Sequence, residues 1–133
     1  MIAIIDSGGA NIASVRFALE RLGVDSVLTA DPAVISAAER VILPGVGAAP
    51  VAMAQLARAG LVECIRGLTQ PVLGICLGMQ LLFERSEEGD TPLLGLVGGT
   101  CGALDPGMGL TVPHMGWNLS LIHISEPTRP SII

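Results

Sequence analysis

Residues 71–78, Pro-Val-Leu-Gly-Ile-Cys-Leu-Gly, constrain this chain more tightly than any other stretch. An apolar run from Pro71 to Ile75 passes directly into Gly74-Ile75-Cys76-Leu77-Gly78, and Leu77 to Arg85 then reads as a helix. This is the nucleophile-elbow pattern G-x-S-x-G with cysteine in the serine position. A turn that tight has no space for a β-carbon at either flank, which is why glycine stands on both sides. The residue at the tip is held exposed above the sheet. It also stands at a helix N-terminus, where the dipole and unpaired amides favour an anion.

The rest of the chain repeats the same alternation of short apolar runs and helical periods. Ile2–Ile5 reads as a buried strand closed by Asp6 and the turn Ser7-Gly8-Gly9. Asn11 is placed to cap a helix carrying Ile12, Val15, Leu19 and Leu22 at helical spacing, and Gly23 stops it. Val24–Thr29 is a second strand, Asp31-Pro32 opens a short helix through Ala38, and Arg40–Leu43 is a third strand ended by Pro44-Gly45. One long alanine-rich helix is expected from Val51 to Leu68, then the fourth strand, Pro71–Ile75. Such β-α alternation predicts an α/β fold, a mostly parallel sheet with helices on both faces. In such sheets the active site lies beyond the carboxyl ends of the strands. The turns Ser7–Asn11, Pro44–Pro50 and Gly74–Gly78 all fall at that edge. From Ser86 onward the pattern changes. Ser86–Asp90 is a polar, acidic loop, and Leu93–Met108 is a glycine-rich flap of turns and short strands.

Composition excludes several chemistries. The 133 residues carry seven arginines but no lysine and no tyrosine, so there is no P-loop lysine, no Schiff base and no phenolic acid or base. A net charge of −5 with scattered arginines argues against a nucleic-acid surface. The two histidines, His114 and His123, are too few for a histidine-rich metal site. The three cysteines, Cys64, Cys76 and Cys101, fit neither a paired zinc motif nor a disulfide framework. No metal and no cofactor are expected. The N-terminus lacks a basic leader, and no apolar run reaches the ~18 residues of a membrane helix. A cytoplasmic protein with no membrane partner is therefore expected. Half the residues are hydrophobic and the mean hydropathy is +0.66, high for one small domain. Apolar surface awaiting a partner would account for it.

Around Cys76 several side chains suggest roles. Pro44-Gly45-Val46-Gly47 follows a strand on the same sheet edge; it fits either an ordinary strand-to-helix turn or a second set of oxyanion-hole amides. Gln80 lies one helical turn after Cys76 and can face the same site. Glu84, Glu87 and Glu88 could bind a substrate ammonium, or form a solvated loop. Cys64 falls at helical spacing with core residues. His114 could serve as a base for Cys76. Trp117 fits a core position or an interface anchor equally well.

Taken together, these strings resemble a known family. Gly74-Ile75-Cys76-Leu77-Gly78-Met79-Gln80 is similar to the nucleophile motif of class I glutamine amidotransferases. Leu43-Pro44-Gly45-Val46-Gly47, Leu81–Glu88 and Pro113-His114-Met115-Gly116-Trp117-Asn118 resemble one branch, the glutaminase subunit of imidazole glycerol phosphate synthase. The segment from Asp6 to Val15 is similar too. The resemblance covers residues 1–118 and implies a flavodoxin-like fold. It implies that Cys76 attacks the side-chain amide of glutamine, while amides of Val46, Gly47 and Leu77 hold the oxyanion. Gly45, Gly47, Gln80 and Glu88 would bind the glutamine. Asn11 and Trp117 would lie near a (β/α)8-barrel cyclase partner, which receives the ammonia in a heterodimer of histidine biosynthesis.

Two departures accompany the resemblance. The family's histidine and glutamate, two residues apart near its C-terminus, have no counterpart here, so the domain is expected to be C-terminally truncated and its thiol poorly activated. Residues 119–133 are unlike the family and are expected to be a foreign tail. Two other functions fit the same residues: a non-catalytic module that docks on a barrel, and a different cysteine hydrolase using His114.

Overall fold

In the computed structural model, residues 1–8 and 11–117 are described, together with the backbone of 119–121 and 130–132. Two bodies are present, Met1–Ala103 and Leu104–Ile133. The first is built on four parallel strands: β1 (Ile2–Ile5), β2 (Ser26–Thr29), β3 (Arg40–Gly45) and β4 (Val72–Cys76), in the order β2-β1-β3-β4. Register is fixed by apolar partners. Ile4 faces Leu28 on one side and Ile42 on the other, and Gly45 faces Cys76. The strand order reverses direction between β1 and β3, the switch point at which sheets of this kind open a crevice beyond their carboxyl ends.

Alternation along the strands divides the core in two, because successive side chains point to opposite faces. Ala3, Ile5, Val41 and Leu43 face one side. They pack there with α2 (Pro32–Ala37), α3 (Ala49–Arg58), α4 (Val62–Arg66) and α5 (Leu77–Leu81), through Ile35, Leu56, Ile65 and Leu81. Ile4 and Ile42 face the other side, where α1 (Ile12–Arg21) contributes Leu19, Ile12 and Val15. The helices do cover both faces, as expected, but unequally. Leu73 and Ile75 of β4 share the α1 face through their register with Ile42 and Pro44, and they remain 58% and 37% exposed. Among the described residues β4 pairs with β3 alone, so its other edge is open.

Several boundaries differ from the sequence reading. The single helix expected from Val51 to Leu68 is two. Gly60 adopts φ +70°, and the amide of Leu61 donates back to the carbonyl of Leu56 (2.9 Å), closing α3 before α4 begins. This left-handed stop satisfies the terminal carbonyls of α3. The helix after Cys76 ends at Leu81 instead of Arg85, because Arg85–Ser86 (β5) is drawn into a second small sheet. There it pairs antiparallel with β6 (Thr91–Pro92) and parallel with β7 (Thr100–Cys101). Strand β3 continues through Pro44. Its pairing with β1 ends at Ile42, so the proline's missing N–H lies beyond that ladder. Asn11 stands at the cap position of α1 but makes no side-chain capping bond; its carbonyl instead accepts from Ser14 Oγ (3.3 Å). Asp31 is a working cap, its Oδ1 accepting from the amide of Ala33 at 2.9 Å.

The second body contains a one-turn 3-10 helix, Pro106–Met108, whose cap Asp105 accepts from the Gly107 amide at 2.8 Å. Its backbone also forms an antiparallel pair, β8 (Leu119–Leu121) with β9 (Pro130–Ile132). Residues 122–129, with His123, lie outside the described residues. No helix among the described residues is long and apolar enough to cross a membrane.

Candidate active site

Cys76 ends β4 and immediately precedes α5, at φ +56° and ψ −121°. A non-glycine residue rarely adopts that backbone, and the strain of about 1–3 kcal/mol persists only where the surroundings impose it. Three glycines impose it here. A β-carbon on Gly78 would lie 1.9 Å from the carbonyl oxygen of Leu43, one on Gly74 2.5 Å from Cα of Met79, and one on Gly45 2.6 Å from the amide nitrogen of Gly78. Strand β3, strand β4 and helix α5 therefore meet backbone to backbone, and the chain between them has to take the sharp path that lifts Cys76 out. The thiol is exposed, whereas Leu77 and Gly78 behind it are buried. The elbow expected from the sequence is present with the reason expected for its glycines.

Leu77 is the first residue of α5, so its amide has no partner within the helix. On the neighbouring strand Gly45, the register partner of Cys76, leads into Val46 and Gly47. Val46 is 51% exposed, and Gly47 takes φ +92° with open space where a side chain would stand. The sheet thus brings the Val46–Gly47 turn alongside the elbow. Gln80 is half-buried within α5, one turn beyond Cys76, and its carbonyl accepts from Cys101 Sγ at 3.6 Å. With α5 only five residues long, the helix field behind the thiol is smaller than a helix reaching Arg85 would give.

The three glutamates are exposed, as a solvated loop would have them, but they are tied down and do not form a shared cluster. Each carboxylate accepts from a different backbone amide: Glu84 from Gly99 (3.0 Å), Glu87 from Ala103 (2.9 Å) and Glu88 from Ala49 (2.9 Å). Glu84 and Glu87 thereby pin the glycine-rich flap to the small sheet. The sequence reading missed two polar residues here. Ser86 and Thr91 are 3% and 8% exposed, and they bond to the amide and carbonyl of Glu88. Cys64 is half-buried, with its Sγ donating to the Pro32 carbonyl. Neither histidine belongs to the first body; His114 stands in the second, as does Trp117, which is 82% exposed. Asn11 is exposed at the start of α1. No group of three or more His, Cys, Asp or Glu among the described residues could hold a metal.

The model of the class-I glutamine amidotransferase family matches residues 3–131. The chain belongs to that family. Among its curated relatives, the imidazole glycerol phosphate synthase subunit HisH of Xanthomonas axonopodis pv. citri is 61% identical over 117 residues, 88% of this chain and 58% of the relative. The subunit of the same name from Xanthomonas euvesicatoria pv. vesicatoria matches to the same extent. That of Xylella fastidiosa strain Temecula1 is 58% identical over 117 residues. The chain thus spans 58% of the length of the relatives it matches. Its parallel four-stranded sheet with helices on both faces is consistent with the α/β fold of that family.

Proposed function

We propose that this chain is the nucleophile-bearing part of a glutaminase, the subunit that supplies ammonia to a (β/α)8-barrel cyclase in imidazole glycerol phosphate synthase. The observation that carries the reading is the strained, exposed Cys76 set by three interlocked glycines beside the Val46–Gly47 turn. Glutamine is the substrate. The Cys76 thiolate adds to its side-chain amide carbon, and the carbonyl electrons move onto oxygen. Amides of Leu77 and of the Val46–Gly47 turn stabilise that oxyanion. Collapse breaks the C–N bond, ammonia leaves after taking up a proton, and a thioester remains on sulfur. Water then cleaves the thioester to glutamate and regenerates the thiol. Gly45, Gly47 and Gln80 line the glutamine, and Asn11 and Trp117 face the cyclase. No cofactor takes part, and the setting is the cytoplasm.

A cysteine nucleophile is activated by an adjacent base, and the first body has no histidine. That body is therefore a slow glutaminase. The test is covalent labelling with a diazo-ketone analogue of glutamine. Selective, glutamine-protected modification of Cys76 supports the reading, and indiscriminate or absent modification favours a non-catalytic docking module. A hydrolase using His114 would lose its activity on His114→Ala, whereas the glutaminase reading leaves labelling intact. Residues 119–133 belong to this proposal as a segment foreign to the domain; the relatives align over 117 residues, whereas the family model extends to residue 131 and counts against it. A continuous reading frame through Leu119–Ile133 in independent sequencing of the locus would overturn that part.

A further inference from the structure

Helix α5, with Cys76 at its cap position, is only five residues long. That is far below the about 12–15 residues at which a helix persists alone in water. Yet its seat decides the elbow. Gly45 and Gly74 pack against the backbone of Gly78 and Met79 in α5, and Gly78 itself lies on the Leu43 carbonyl. A helix end leaves its last carbonyls without partners, and here another part of the chain supplies them. The carbonyls of Leu81, Leu82, Phe83 and Glu84 all accept from the amides of residues 93–97. Leu94 donates to Leu81 (2.9 Å), Leu96 and Val97 to Leu82 (2.8 Å each), Gly95 to Phe83 (2.8 Å) and Leu93 to Glu84 (2.9 Å). Cys101 Sγ adds a contact to the Gln80 carbonyl at 3.6 Å.

Successive amides converge on one helix end because the segment bends at Gly95, which takes φ +71°. A β-carbon there would meet nothing within 4 Å, so the glycine answers to backbone conformation and not to space. From the other side Arg66 of α4 holds the same segment. Its Nε donates to the Leu94 carbonyl at 3.0 Å and its Nη2 to the Leu93 carbonyl at 3.2 Å. We infer that residues 93–97 form a strap that seats α5, and that Gly95 and Arg66 position the Cys76 elbow through it. With the strap in place, the amides of Leu82 and Phe83 keep their own bonds to Met79 (3.2 Å) and Gln80 (3.1 Å). Without it the helix end would turn to water and fray back toward Met79 and Gly78, the residues that press the elbow into shape.

The strap's bearing on catalysis rests on the glutaminase reading, and two readouts on the chain separate the two. The first is amide hydrogen exchange. Gly95→Ala should speed it about tenfold, the cost of a β-carbon in the left-handed region. The acceleration should appear at Leu94, Leu96 and Val97 and equally at Leu82 and Phe83. Gly95→Asn, which tolerates that region, should return all five amides toward the parent. Arg66→Ala removes the second hold and should speed the same five. The second readout is labelling of Cys76 by the diazo-ketone glutamine analogue, set against alkylation by iodoacetamide, which needs only an exposed thiol. With both holds lost, in Gly95→Ala combined with Arg66→Ala, analogue labelling should fall about tenfold relative to alkylation. Acceleration confined to Leu94, Leu96 and Val97 overturns the inference, because the strap would then open without α5. So does a double variant labelled at the parental ratio. If the double variant does not fold, exchange in the single variants decides. If the parent chain is not labelled by the analogue, the glutaminase reading fails, and exchange at Leu82 and Phe83 still decides whether the strap seats α5.

Discussion

The β-carbon that Gly78 lacks would sit 1.9 Å from the carbonyl oxygen of Leu43, inside the van der Waals radius of a backbone atom that cannot move without breaking β3. Gly78→Ala should therefore cost more than about 4 kcal/mol, in the range of severe core disruptions. Against a typical stability of ~5–15 kcal/mol, most of the protein would be unfolded or insoluble. Gly98→Ala is the control. Nothing stands within 4 Å of that position, and its change should stay within about 0.5 kcal/mol. Denaturant unfolding of the two variants, side by side, measures the difference.

Strain at Cys76 predicts an opposite effect. Cys76 at φ +56° pays for its backbone, and glycine would not. Cys76→Gly should raise stability by about 1 kcal/mol while removing the thiol that reacts first. In the parent chain, limited treatment with iodoacetamide should modify Cys76 before the half-buried Cys64 and Cys101, read by mass spectrometry of the digest. A Cys76→Gly chain no more stable than the parent would mean that the turn relaxes around cysteine without cost.

Leu73 and Ile75 on the open strand β4 are 58% and 37% exposed, and Met79 on α5 is 46% exposed. Unblunted edges of this sort associate. The chain should show concentration-dependent self-association by light scattering, and Leu73→Lys should suppress it with little change in unfolding midpoint, since the side chain is already in water. Association that is indifferent to Leu73→Lys would place the sticky surface elsewhere.

Glu39 accepts from the terminal ammonium of Met1 at 2.8 Å, and this hydrogen bond, followed by the attraction of that charge, holds its carboxyl below the usual value of 4.5. A carboxyl lowered in the folded state contributes stability that is complete above the unfolded value and lost as the pH falls through the folded one. Acetylating the N-terminus should return the Glu39 titration, followed by carbon-detected NMR, to the ordinary glutamate range. Its side chain is 80% exposed, so the melting temperature at neutral pH should not change.

The alternation of apolar runs and helical periods is enough to place all four strands of the main sheet: β1 and β3, buried between helices, leave continuous apolar runs, and β2 and β4 follow from the short apolar segments between helical periods. The elbow was legible for the same reason: paired glycines around a cysteine have a local steric meaning. What sequence could not resolve depended on distant partners. The stop at Gly60 is hidden by alanines and leucines that continue the helical pattern on both sides. The early end of α5 reflects Arg85–Ser86 pairing with Thr100–Cys101, a contact that no helix propensity records. The use of Glu88 as a cap for α3 joins two segments far apart in the chain, and only the folded sheet brings them together.

Among the described residues strand β4 is bonded along one side only, and that asymmetry sets where motion enters the molecule. The inner strands β1 and β3 share ladders on both sides, so their amides should be the last to exchange, while the outward amides of β4 open to solvent without unfolding anything else. The Cys76 thiol is thus mounted on the least protected ply of the sheet, braced from β3 by Gly45 and from behind by α5. A strand that docked along that free edge would stiffen the mounting of Cys76 from a distance, without touching the sulfur.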